Sequence, residues 1–204
     1  AVYSQLLNQR GGIEMDVTVT RLGKDAFHLT SGAATRMRDL GFLRKHLKGD
    51  LSIQDMTEAF CTIGVMGAGS RAMLQSLGSL PCMPFGHSGS AELAGIQCRA
   101  TRVSFVGELG WELTVANAQA PHLFDALQNA GAVPLGHFAL DACRLEKGFK
   151  HWGHELGPEV SPLEAGLGFT IDWSKNFQGK ALLERQKTEG VRRRLLLLQV
   201  QGKA

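Results

Sequence analysis

Residues 62–74, TIGVMGAGSRAML, set an apolar run against Gly67-Ala68-Gly69-Ser70-Arg71-Ala72, the G-x-G-x-x-A spacing with which a strand-to-helix turn can cradle a dinucleotide pyrophosphate. That chemistry needs more than a turn, because a second parallel strand about 20 residues on must end in an acidic residue that holds the ribose hydroxyls. The corresponding window, residues 81–92, reads PCMPFGHSGSAE, which is loop chemistry. Gly67 and Gly69 therefore read as a packing turn that lets a strand meet a helix closely. His151 and His154 in HWGH have no third metal ligand beside them and read as surface or hydrogen-bonding side chains. No Ser-His-Asp order is supported. Cys61, Cys82, Cys98 and Cys143 are widely separated with no C-x-x-C pair. They read as reduced, buried thiols of a cytoplasmic protein, or of the mitochondrial matrix in a eukaryote, not as a disulfide frame or zinc site.

These residues need elements to hold them. After Gly11-Gly12, Ile13, Met15, Val17 and Val19 alternate with Glu14, Asp16, Thr18 and Thr20, the period of a strand, which turns Asp16 away from the apolar row. AFHLT follows as a short partner strand. Ser31-Gly32 is placed to cap a helix over about residues 33–47, with Ala33, Met37, Leu40, Leu43 and Leu47 on one side. SIQDMTEAFCTIGVMG offers two further strands and residues 70–80 a helix that ends near Pro81. QCRATRVSFV and WELTVA flank Gly107-Glu108-Leu109-Gly110 as a hairpin. QAPHLFDALQNAG reads as a helix with Pro121 in its first turn and Gly131 at its end, and GHFALDACRLEKG as another closed by glycine. Short strand pairs alternating with helices predict an α+β fold of ferredoxin-like, split β-α-β layers.

At 204 residues, with 44% apolar and 20% charged side chains, the composition is that of an ordinary globular chain with room for one large or two small domains. No apolar run approaches the roughly 20 residues of a membrane helix. A net charge of +3 in short basic clusters does not argue for nucleic acid and suits a small anionic ligand better. Both ends read as cut from a longer polypeptide: the first residues already look like folded-domain sequence, and Leu195 to Val200 is a strand-like run with nothing after it to pair with.

Several separated stretches, in order, resemble one family. GGIEMDVTV, GELGWEL, CRLEKG and SPLEAGL are similar to the G-G-I-x-x-D-x-x-V, G-E-x-G-[YW]-E, R-L-E and [ST]-P-x-E-x-G-L segments of the aminomethyltransferase family, that of the glycine cleavage T-protein. Its folate-binding fold is also fused behind the flavin domain of dimethylglycine and sarcosine dehydrogenases, and ELGPEVSPLEAGLGFTIDW and FQGKALLERQ look more like that branch. TIGVMGAGSRAML fits as the family's strand-to-helix turn. The resemblance implies interleaved α+β subdomains over residues 1–190 and, at 191–204, the start of a C-terminal barrel domain that is missing here.

It further implies tetrahydrofolate as the ligand and transfer of a one-carbon unit to it from an amine or iminium, giving 5,10-methylenetetrahydrofolate. FAD would belong only to a separate domain upstream. Asp16 matches the family's catalytic aspartate, and a carboxylate there can accept a proton or stabilise a cationic iminium. Glu112 matches the pterin-binding glutamate, which accepts the paired donors of the pterin edge, whereas Glu108 reads as a turn residue. Arg144 matches the R-L-E arginine that lines the folate site. Tyr3 matches a pocket-lining tyrosine thirteen residues before the aspartate, and Trp152 stands where the family has a tyrosine, either ring being able to pack on a flat ligand. Gly32 in SGA replaces a family asparagine, so nothing is carried over there. Phe149 in KGFKHWGHE replaces the reactive cysteine of the related iron–sulfur-maintenance proteins, which disfavours that branch. The rival expectation is a non-catalytic, folate-binding regulatory domain.

Overall fold

The computed structural model describes residues 1–202. Along the chain it runs β1 (Val2–Leu7), β2 (Ile13–Arg21), β3 (Phe27–Thr30), α1 (Arg36–His46), β4 (Phe60–Met66), α2 (Ser70–Leu77), β5 (Gly78–Ser79), β6 (Ser88–Leu93), β7 (Ile96–Thr101), β8 (Gly110–Ala116), α3 (Ala120–Asn129), α4 (His137–Glu146) and α5 (Lys180–Glu189). The chain is a mixed α and β protein in two compact units. A continuous unit holds Gly49–Phe149 together with Ala1, and a split unit holds Val2–Lys48 and the chain from Lys150 onward.

The split unit carries a three-stranded sheet in the order β1-β2-β3, antiparallel throughout. Its β2 shows the expected alternation, with Ile13, Met15 and Val17 buried and the residues between them only half-buried. Ile13 and Leu7 pack with Leu156, Ala165, Leu167 and, from α5, Leu183. The two glycines before β2 have separate jobs. Gly11 takes a left-handed φ of +70°, and a Cβ on Gly12 would lie 1.8 Å from the Pro158 carbonyl oxygen, so only glycine lets these backbones touch. The SPLE sequence closes a reciprocal cap: Ser161 N–H donates to Glu164 Oε2 at 2.9 Å and Glu164 N–H to Ser161 Oγ at 3.1 Å.

The continuous unit carries a five-stranded sheet in the order β4-β8-β7-β6-β5, again antiparallel. Trp111, Leu113 and Val115 of β8 form its core with Leu74 of α2 and Leu123 and Leu127 of α3. The glycine turn after β4 leads through α2 to a strand that runs parallel to β4 but does not pair with it, three strands lying between them. β4 pairs antiparallel with β8, and the chain leaving α2 enters β5, antiparallel to β6. The turn's polar groups serve the chain itself: Gly67 N–H donates to Leu109 O at 2.8 Å and the Ser70 hydroxyl to Gly67 O at 2.6 Å.

Several boundaries differ from the sequence reading. No strand forms over residues 51–59, where Thr57 folds back onto Asp55, its N–H and hydroxyl donating to Oδ1 at 3.0 and 2.7 Å. α2 stops at Leu77 because the chain at Gly78 runs flush against β6, where a Cβ would meet Glu92 O at 2.2 Å. β7 ends at Thr101, where Val103 N–H turns back to the Thr101 carbonyl at 3.0 Å, so the connection to β8 is residues 102–109 and not a four-residue turn. α1 turns Asp39 inward and leaves Met37 73% exposed, against the apolar face expected of it. Thr35 Oγ1 donates to Asp39 at 2.6 Å, which satisfies that inward carboxylate. Of the four cysteines only Cys98 is buried, and Cys82 is exposed. Residues 195–200 join no strand, although Leu195 N–H donates to Glu164 O at 2.9 Å.

Candidate functional site

β2 presents Asp16 on the face opposite its buried apolar row, and the register places Gln5 of β1 directly across from it. Gln5 Nε2 donates to Asp16 Oδ1 at 3.1 Å, and the Tyr3 hydroxyl, two residues back along β1, also bonds the carboxylate. Burial pushes the Asp16 carboxyl above the ordinary range, while the bonds from Tyr3 and Gln5 and the field of His151 pull the other way. Burial, and after it the adjacent Asp16 charge, push the Tyr3 phenol far up, so Tyr3 is a neutral donor at any working pH. The Tyr3 ring lies 6.5 Å from Phe169, which is 78% exposed. Thr170 Oγ1 reaches the other end of the Gln5 amide at 2.6 Å. Gln5 and Thr170 also stand in the wall of a cleft of about 510 Å³ within the split unit, together with Phe42, His46, Lys175 and Phe177.

Trp152 buttresses the start of β2. Its indole N–H donates to the Ile13 carbonyl at 3.0 Å, and the Arg38 guanidinium lies over the ring at 4.2 Å. Arg38 in turn bonds the Glu14 carbonyl and carboxylate, and Asn8 Nδ2 reaches the same carboxylate at 3.0 Å. One face of the Trp152 ring is thereby covered by protein. His151 and His154 stack at 4.7 Å. Among the described residues no group of three His, Cys, Asp or Glu side chains is placed to hold a metal ion.

Glu112 and Arg144 belong to the continuous unit. Glu112 lies on the β8 face opposite Trp111 and Leu113, in a cross-strand row with Gly64, Thr101 and Ser88. Thr101 and Ser88 satisfy each other at 2.9 Å. Among the described residues none donates to the Glu112 carboxylate, and burial pushes it above the usual range. Arg144 of α4 is only 2% exposed and anchors the end of its helix, with Nε donating to Asp141 at 3.0 Å and Nη1 to the Phe149 carbonyl at 3.1 Å. Glu108 pairs with Lys147 at 3.3 Å on the surface.

The structure thus puts Tyr3, Asp16 and Trp152 in the split unit, with Tyr3 and Asp16 in contact, and Glu112 and Arg144 in the continuous one. Sequence reasoning missed Gln5, Thr170 and Arg38. Gln5 was legible in principle, since the period of two that puts Tyr3 on a strand face puts Gln5 there too. Thr170 and Arg38 approach from distant sequence and leave no local signal.

Comparison with known proteins bears on this arrangement. Residues 1–175 match the family described as the GCVT N-terminal domain. The 4-methylaminobutanoate oxidase (formaldehyde-forming) of Paenarthrobacter nicotinovorans is 41% identical over 92% of this chain and 24% of its own length. Mitochondrial sarcosine dehydrogenase of Homo sapiens is 36% identical over 99% of this chain and 25% of its own. An aminomethyltransferase of Exiguobacterium sibiricum is 34% identical over all of this chain and 57% of its own. The crystal structure of glycine cleavage system aminomethyltransferase T from Bartonella henselae superposes with a TM-score of 0.80 at 26% identity, over 93% of this chain and 53% of that one. The chain therefore spans about a quarter of the oxidase and dehydrogenase relatives and just over half of the aminomethyltransferase.

Proposed function

The chain belongs to the GCVT N-terminal domain family, and on that premise we propose that it is the folate-binding part of a tetrahydrofolate-dependent one-carbon transferase, of the kind fused in dimethylglycine and sarcosine dehydrogenases. The donor is an amine or iminium, and the product 5,10-methylenetetrahydrofolate. A folate nitrogen attacks the iminium carbon and Asp16 receives the proton that nitrogen loses; Asp16 returns that proton to the departing amine as the second folate nitrogen closes on the same carbon, the second nitrogen's own proton going to solvent. Any flavin that makes the iminium sits in a separate part of the parent protein, which works in the cytoplasm or mitochondrial matrix. We also read the interleaved chain path, which leaves the split unit after residue 48 and re-enters it at 150, as ferredoxin-like layering.

The observation that carries this reading is Asp16 itself, a half-buried carboxylate held by two neutral donors and facing away from the core. Such a group is a proton acceptor in place, and positioned acid–base help is worth roughly 10² to 10⁴ in rate. Glu112 fits the pterin edge for a complementary reason: a partly buried carboxylate without a donor suits a ligand that brings a pair of N–H groups. Arg144 and Trp152 act by holding α4 and β2 in place as much as by touching the ligand.

Calorimetric titration with tetrahydrofolate tests the binding half. Binding that weakens in Glu112→Gln supports the reading, and no binding to the wild-type chain at millimolar folate overturns it. Asp16→Ala tests the chemical half. Loss of transfer with folate still bound supports an enzyme that uses Asp16, whereas a rate equal in both forms and no faster than the reaction without protein makes the chain a folate-binding regulatory domain.

A further inference from the structure

Asp16 must be stable both with and without its proton if it is to take one up and give it back, and the groups behind it have the chemistry for both states. The Gln5 amide lies between Asp16 and Thr170, with Nε2 at 3.1 Å from Asp16 Oδ1 and Oε1 at 2.6 Å from Thr170 Oγ1. Thr170 Oγ1 is also 2.7 Å from the Leu167 carbonyl. One hydroxyl proton serves one acceptor at a time. The Leu167 carbonyl already receives the Thr170 backbone N–H at 3.0 Å, so the hydroxyl proton is at liberty to turn to Gln5.

We propose that Gln5 and Thr170 form a two-state hydrogen-bond relay that serves Asp16 in either protonation state, Gln5 being a positioning residue for the transfer chemistry. With Asp16 ionised, the amide N–H donates to the carboxylate and Thr170 donates to the amide oxygen. With Asp16 protonated, the amide turns over: its oxygen accepts the carboxyl O–H, its N–H₂ donates to Thr170 Oγ1, and the Thr170 proton swings to Leu167 O. No donor or acceptor is stranded in either state, and no bond other than hydrogen bonds changes. A side chain without an amide cannot do this, because losing either partner would leave a half-buried polar group unmet.

The titratable groups that act on Asp16 are Tyr3 on β1 and His151, while Glu14, on the same face of β2, is engaged by Arg38. Tyr3 stays neutral and donates to the ionised form, while its oxygen takes a bond from the Gln5 amide. Gln5 is the neighbour able to serve both. That part of the inference which concerns catalysis rests on the folate reading above, but the relay is measured on Asp16 directly.

The experiment follows the Asp16 side-chain carboxyl by ¹³C NMR across pH in the full chain, with Asp16→Asn identifying its resonance. Gln5→Met, similar in size but without hydrogen-bonding groups, removes a charge-assisted bond to the ionised form and a weaker neutral one to the protonated form, so the Asp16 midpoint rises by about one pH unit or less. Thr170→Val moves it the same way by less, since the amide loses only its far anchor. In the wild type the Gln5 side-chain amide ¹H–¹⁵N resonances shift with the Asp16 midpoint as the amide turns over, and amide resonances that stay fixed while Asp16 titrates overturn the relay. The functional reading is separable: if Asp16→Asn transfers as well as wild type while the midpoint shifts appear, the one-carbon chemistry falls and the relay stands.

Discussion

Gly12→Ala is the sharpest test of how the chain places Asp16. A Cβ at residue 12 would sit 1.8 Å from the Pro158 carbonyl oxygen and 2.5 Å from its carbon, both backbone atoms that cannot rotate away. Reaching even a tight contact of 3.0 Å requires the two segments to part by 1.2 Å, the difference of 3.0 and 1.8. Two hydrogen bonds cross that seam, Ile13 N–H to Val160 O and Asn8 Nδ2 to Pro158 O, each at 3.0 Å, and parting on that scale breaks them. At about 1 kcal/mol each, with about 1–3 kcal/mol for overpacking, the substitution costs about 3–5 kcal/mol. Urea unfolding followed by circular dichroism reads this as a midpoint lower by about 1 M or more, given slopes of about 1–3 kcal/mol per molar. Gly23→Ala is the control, since nothing lies within 4 Å of a Cβ there, and its midpoint stays near wild type. A Gly12→Ala midpoint equal to that of Gly23→Ala would refute the close-approach argument and with it the explanation of the paired glycines.

Other outcomes follow from the same structure. Because burial raises the Glu112 carboxyl, the folded chain holds that proton at pH values where the unfolded chain has lost it, so this group's contribution to stability falls as pH rises from the ordinary carboxylate range through the raised folded value. Glu112→Gln should therefore gain stability over wild type more at pH 8 than at pH 4.5, and an advantage that does not grow with pH in denaturant titrations would contradict the assignment. Arg144→Leu, at a side chain only 2% exposed, strands the Phe149 carbonyl and takes one partner from Asp141, and should cost about 2–4 kcal/mol, with Arg144→Lys recovering only part because one ammonium cannot copy the fork; a loss under 1 kcal/mol in the same assay refutes this. Thiol labelling with mass-spectrometric readout should modify Cys82 first and buried Cys98 only on unfolding, and early labelling of Cys98 would contradict its place in the core.

What was legible in the sequence was local. The alternation Ile13, Met15, Val17 gave β2 and the orientation of Asp16, and Pro121 and Gly131 bracketed α3 because both act within one turn of chain. Where a distant partner decides, local pattern misleads. Gly78 ends α2 because β6 lies against it, and α1 turns Asp39 inward because Thr35 and Arg38 meet it there, which no apolar periodicity encodes. The G-x-G-x-x-A turn is the instructive case: Gly67 needs to be glycine for its φ of +128°, whereas Gly69, at φ −81° with nothing within 4 Å of a Cβ, does not, so the close strand-to-helix packing expected of the pair is not what the turn uses. Tyr3 and Asp16 were singled out by the family resemblance alone, and what surrounds them came only from register, since Gln5 faces Asp16 by virtue of where β1 pairs with β2.

A structure of the chain with tetrahydrofolate bound tests the central claim most directly. The account predicts an Asp16 carboxylate oxygen within about 2.6–3.2 Å of a folate nitrogen, directly or through one water, with Gln5 still on Oδ1. Folate bound with Asp16 remote from both reacting nitrogens would contradict it.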